Sequence, residues 1–190
     1  MKQILILSTF AFGLSVASAC SSAPETATTT NSGHTTKADE APAAVKAVFP
    51  DAQSFTTQHK DIPADKIASI EKDTDSKVPD KDHHSYLAFS TTGGARKQVG
   101  AATIVKVEGR DAVIVYDNKD GSPVIKEIRA DGVPAAFLKQ FAGKGHDDDL
   151  LLGADIKASG ANEAQAKAIT EAVRVDVLTM QALYGAAHKH

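Results

Sequence analysis

The stretch "SGANEAQAKAITEAVRVDVLTMQALY", Ser159 to Tyr184, decides how this chain folds. Ile169, Val173, Val177, Met180 and Tyr184 recur at steps of four, four, three and four, which draws one apolar stripe along about four turns of helix. That stripe is read as core packing against a sheet and carries no chemistry itself. Asn162, with Gln165 three residues later, has the form of a helix N-cap with a reaching partner. The small residues Ser159, Gly160 and Ala161 before it leave room for an anion against unpaired backbone N–H groups and the positive end of the helix dipole.

The sheet for that stripe lies upstream. "SYLAFST", "GAATIVKVEG", "AVIVYDN" and "VIKEIRA" read as strands separated by Gly, Asp and Asn signals. Asp120-Gly121 is the strongest hairpin signal, and "EGRD" marks the preceding turn. "QSFTTQHK" has the look of a further short strand. Helices flank the cluster: one carrying Val45, Val48 and Phe49, one opened by Pro63 with Ile67 and Ile70 on a shared face, and one supplying Phe137, Leu138 and Phe141 before Gly143. The expectation is an α+β domain, an antiparallel meander of about four strands packed by N-terminal, middle and C-terminal helices.

At the other end, residues 1–19 hold Lys2 as their only charge, an apolar run from Ile4 to Val16, and Ala17-Ser18-Ala19 before Cys20. This reads as a secretory signal. "VASAC" resembles a bacterial lipoprotein signal, which implies cleavage before Cys20 and lipidation of that thiol. Cys20 is the only cysteine, so no internal disulfide framework is expected. Residues 20–40 are polar and small and read as a lipidated flexible tether. Residues 41–190 are one domain by length, large enough to bury a core without metal or disulfide. The same lipoprotein resemblance implies, with Ser21 rather than Asp after the cysteine, an outer membrane with the domain facing the periplasm.

A net charge of -3, scattered Lys and Arg, and the absence of Trp exclude the basic, aromatic surface that nucleic acid requires. "HDDD", His146 to Asp149, is read as a solvated loop, and a cation-binding lipoprotein using it is the weakest functional class. His83-His84, and His188 with His190, are expected to be exposed. Among hydrolase and phosphate motifs, G-x-S-x-G, H-E-x-x-H and G-x-x-x-x-G-K-[ST] are absent from the sequence. No catalytic residue and no metal ligand is assigned.

From about Val45 to Tyr184 the order and spacing of short segments resemble the FMN-binding domain of exported and membrane-attached electron carriers, including subunits of sodium-pumping and Rnf-type redox complexes. The pieces are "VFPDA", the strand cluster, "FLKQFAGK" at 137–144, an acidic loop leading to "LGADI", and "SGANEAQAKAITEAVR". That family has Ser-Gly-Ala-Thr at this place, and its threonine can carry FMN through a phosphoester bond. Here Ser159, Gly160 and Ala161 match and Asn162 stands in the threonine's position; an amide has no hydroxyl to esterify.

The resemblance therefore implies a membrane-anchored carrier with FMN held without a covalent link at Ser159, Gly160, Ala161 and Asn162, exchanging electrons with a redox partner protein. Ser159 as an alternative ester acceptor stands three residues too early for the pattern. The other outcome is a flavin-free interaction lipoprotein on the same scaffold. Either way an electron carrier or binding domain is expected rather than a turnover enzyme. Tyr86, Tyr116 and Tyr184 are expected to be packing residues rather than flavin contacts.

Overall fold

The computed structural model describes residues 40–186. Cys20, most of the tether and the tail histidines His188 and His190 lie outside the described residues. Within them the order is α1 (Ala43–Val48), β1 (Ser54–Asp61), α2 (Ala64–Thr74), β2 (Asp82–Ser90), β3 (Lys97–Val107), β4 (Arg110–Lys119), β5 (Ser122–Ala130), α3 (Ala135–Leu138), a 3-10 turn at Lys139–Phe141, and α4 (Glu163–Tyr184).

The five strands form one antiparallel meander in sequence order. The fold is thus the expected α+β class, with "QSFTTQHK" joining as edge strand β1, paired to β2 from Ser54↔Phe89 to Asp61↔Asp82. Both two-residue turns are built as their sequences require. Glu108 and Gly109 have φ of 50° and 78°, and Asp120 and Gly121 have 53° and 86°. Positive φ at both central residues is the geometry of a tight hairpin that follows strand twist. Strands β2 and β3 start at Asp82 and Lys97, before the apolar alternation becomes legible. Their polar ends are held by ladder bonds, which periodicity does not report.

Each face of the sheet carries a buried cluster. On one, Ala101, Val107, Ala112, Ile114, Tyr116, Ile125 and Ile128 meet α3 and the α4 stripe, of which Ile169, Val173, Val177 and Met180 are buried. On the other, Ala88, Ala102, Val113 and Val115 meet Val45, Val48 and Phe49 of the α1 segment. Gly100 allows that second contact: a Cβ there would stand 2.5 Å from Phe49 Cε1, closer than carbon atoms approach. The β5 edge is covered as well. The Gly143 N–H donates to Ile125 O (2.7 Å) and the Ile125 N–H donates to Lys144 O (2.8 Å), so the end of the 3-10 turn blunts an otherwise open edge.

Candidate functional site

The junction before α4 is assembled from two segments that are far apart in the chain. Pro134 opens α3, and Phe137 and Phe141 pack edge to face beneath it (centroids 5.5 Å apart). This leaves Gln140 at the rim, where its side chain grips the chain before the helix. Its Oε1 accepts from the Lys157 N–H (2.8 Å), and its Nε2 donates to Lys157 O (2.8 Å) and Ser159 Oγ (3.0 Å). Ile156, fully buried, pins the segment from below.

Ser159 and Gly160 then turn with φ of 42° and 88°. A Cβ on Gly160 would only touch Pro134 at 3.7 Å, so backbone conformation rather than space calls for glycine there. Ala161 is half-buried against the core, while Ser159, Gly160 and Asn162 are exposed.

Asn162 is the N-cap, as its spacing predicts, with Oδ1 accepting from the Gln165 N–H at 2.8 Å. Its carboxamide NH2, and the Glu163 and Ala164 N–H groups that have no carbonyl one turn back, point the donor end of a 22-residue helix at solvent. Chemically this is an anion-receiving end with no nucleophile and no ester acceptor at position 162. The cleft against the first turns of α4, between the β3–β4 hairpin and Gln165 and Ile169, holds about 20 Å3, enough for one water. Its lining mixes Arg110 with Glu108, Asp111 and Asp131. A roomier cavity of about 340 Å3 lies farther along α4, lined by Asp73, His146, Asp148, Asp149, Arg174 and Leu178 among others. Its one guanidinium is already engaged, since Arg174 donates to Asp73 O (3.1 Å) and Thr74 O (3.5 Å) at the end of α2.

Other sequence-level candidates are accounted for locally. In "HDDD", Asp148 accepts from the Gly145 N–H (2.9 Å) and pairs with Lys144 (3.3 Å), and His146 meets Asp147 (3.1 Å). The loop ties itself together rather than converging on a centre. Arg96 lies 3.5 Å over the Phe89 ring and reaches Thr56 Oγ1, so it serves the β1–β3 surface.

One expectation is corrected. His83 is not exposed: strand alternation turns it under α4, its side chain only 11% accessible, while His84 faces the other way at 46%. His83 belongs to a buried polar cluster that periodicity alone passed over. Asp176, on the core face of α4, accepts from Thr103 Oγ1 (2.6 Å) and Tyr116 Oη (2.7 Å) through Oδ2, and meets His83 Nε2 (3.0 Å) through Oδ1. A carboxylate only accepts, so Nε2 carries the hydrogen; His83 Nδ1 is buried with no partner among the described residues. The signal was present in the sequence. Asp176 interrupts the Val173–Val177–Met180 stripe, and Thr103 and Tyr116 occupy inward positions of their strands. Largely buried, this cluster ties α4 to three strands of the sheet.

Burial first, then the Asp176 charge and the hydrogen bond to it, push the Tyr116 phenol well above its ordinary range. A folded pKa above the unfolded value of about 10 means that this contribution to stability is complete below about pH 10 and is lost as pH rises beyond it. Tyr116→Phe is therefore expected to cost about 1.5–3 kcal/mol at pH 8, the value of a hydrogen bond to a charged group. Its deficit should shrink at pH 11, where the parent's unfolded state gains from ionising the phenol. Urea unfolding of both proteins at the two pH values checks this; a deficit that grows with pH would contradict the assignment.

Compared with protein-family models, curated proteins and solved structures, the chain matches none.

Proposed function

We propose that this chain is a membrane-anchored FMN-binding protein acting in electron transfer, tethered through lipid on Cys20 at an outer membrane and facing the periplasm. The flavin is bound reversibly, and electrons pass to a partner protein. The observation that carries the reading is the convergence of two of the pieces on which the resemblance rests: "FLKQFAGK" and "SGAN" meet through Gln140, which clamps Lys157 and Ser159 in front of α4.

Of FMN, the phosphate is the part these residues fit. The α4 N–H groups and the Asn162 NH2 would receive it, with Gly160 keeping the approach bare. When bound, the flavin supplies the redox chemistry, and the protein supplies position and electrostatics. The ring would lie along the surface. Asn162 excludes the ester, because its side chain offers an amide donor and an acceptor already used as a cap.

A second reading, a flavin-free interaction lipoprotein on the same scaffold, draws on the exposure of Ser159, Gly160 and Asn162 at the junction. One experiment separates them. The full chain in detergent is mixed with FMN, desalted, scanned for visible absorbance, and precipitated with acid. Colour that survives desalting and stays in the acid supernatant supports reversible binding. Colour in the pellet means covalent attachment elsewhere, and a colourless protein favours the flavin-free reading.

Gly160→Val is expected to weaken FMN binding at least about tenfold, since a β-branched residue at φ near 88° carries strain of about 1–3 kcal/mol. Unchanged affinity in a folded Gly160→Val protein would move the site away from residues 159–162.

A further inference from the structure

We infer that His59, Asp82 and His84 form a binding site for a divalent d-block cation of the Zn2+ class on the exposed face of the β1–β2 ladder. The site follows from register. His59 and His84 are direct cross-strand partners, and Asp82 lies two residues before His84 on the same face. All three side chains therefore converge on the side of the sheet away from α4.

The donor geometry is close to that of a coordination sphere. His59 Nδ1 stands 3.4 Å and His84 Nε2 2.9 Å from Asp82 Oδ2, and the three donor atoms lie within 4.8 Å of one another. Ligand atoms around a tetrahedral ion with bonds of 2.0–2.2 Å are separated by roughly 3.4 Å. Modest side-chain rotation thus admits an ion between them. The imidazole rings already meet edge to face at a centroid distance of 4.1 Å.

The charge is of the right sign. Asp82 supplies the carboxylate ligand, its Oδ2 facing both imidazoles. Asp61, exposed and paired across the strands with Asp82, places a second carboxylate beside it. Lys60, the intervening cation on β1, is turned to the opposite face, where its ammonium bonds Leu183 O (3.1 Å) and covers the Tyr184 ring. Two imidazoles and one carboxylate suit Zn2+ and its neighbours rather than Ca2+ or Mg2+, which take oxygen ligands. Because β1 is the sheet's outer strand, an ion there ties the edge to β2 and leaves at least one coordination position to water.

The test is calorimetric titration of the flavin-free full chain with ZnCl2, and separately with CaCl2. The expected result is a single zinc equivalent and no calcium response. His59→Ala and His84→Ala should each weaken zinc uptake at least about tenfold. The double variant His188→Ala/His190→Ala, which removes the tail imidazoles, should leave uptake unchanged. His59 and His84 being exposed, their variants should keep the parent's melting temperature without metal, and zinc should raise it only where His59 and His84 are intact. Zinc uptake that survives both His59→Ala and His84→Ala, or that disappears with the tail variant, would overturn the site. So would the absence of any zinc response.

Discussion

Asp176→Ala is expected to lower the free energy of unfolding by about 3–5 kcal/mol, because it removes the one acceptor shared by three largely buried donors. The side chain is 6% accessible and receives three groups from three different strands, His83, Thr103 and Tyr116. Truncation leaves all three facing a void, and each unsatisfied buried donor costs about 1–3 kcal/mol before relaxation. Ile114, Ile169, Val173 and Val177 are buried in the same α4–sheet core. Urea unfolding by circular dichroism measures the change. A loss below about 1 kcal/mol would show that the cluster is dispensable, and α4 would then owe its placement to the apolar stripe alone. A cycle of Asp176→Ala with Thr103→Ala should be strongly non-additive, because both variants break the same contact.

The same residue shows what was legible. The α4 stripe, both hairpins and the helices opened by Pro63 and Pro134 follow from local rules: a 3.6-residue period, two-residue turns, proline at a helix start. Such features depend on neighbours in sequence. Asp176 was hidden because its partners lie 93, 73 and 60 residues away, and a lone acid in an apolar face gives no hint of which strands will meet it. His83 was misplaced for a related reason. Its strand begins with the polar residues Asp82, His83 and His84, where apolar alternation has not started, yet the ladder with β1 already fixes which imidazole turns inward. At the candidate site, the N-cap role of Asn162 was legible from its spacing to Gln165. The Gln140 clamp was not, since it joins positions 17 residues apart through a loop without periodicity.

Phe137→Ala should cost a further about 3–5 kcal/mol in a separate variant, as emptying a fully buried aromatic position does. Phe137 is the anchor of the four-residue helix α3, which is too short to persist by its own hydrogen bonds and exists because its apolar side is packed. Removing the ring forfeits its edge-to-face contact with Phe141 and leaves a cavity beneath Gln140. The consequence reaches the junction, because Gln140 is positioned by α3 and in turn positions Lys157 and Ser159. Gln140→Ala makes the complementary cut: it removes the clamp but keeps the core, and about 1 kcal/mol of stability is expected to go with its hydrogen bonds. Urea unfolding should thus rank Phe137→Ala well below Gln140→Ala in stability. If residues 159–162 hold the flavin phosphate, FMN affinity should fall in both, since either change loosens the bare turn before α4. A Gln140→Ala protein that is nearly as stable as the parent yet binds FMN poorly would tie the ligand to the junction. Unaltered FMN binding in both variants would place any flavin elsewhere, while a Phe137→Ala protein that unfolds like its parent would mean that α3 is not seated on β5.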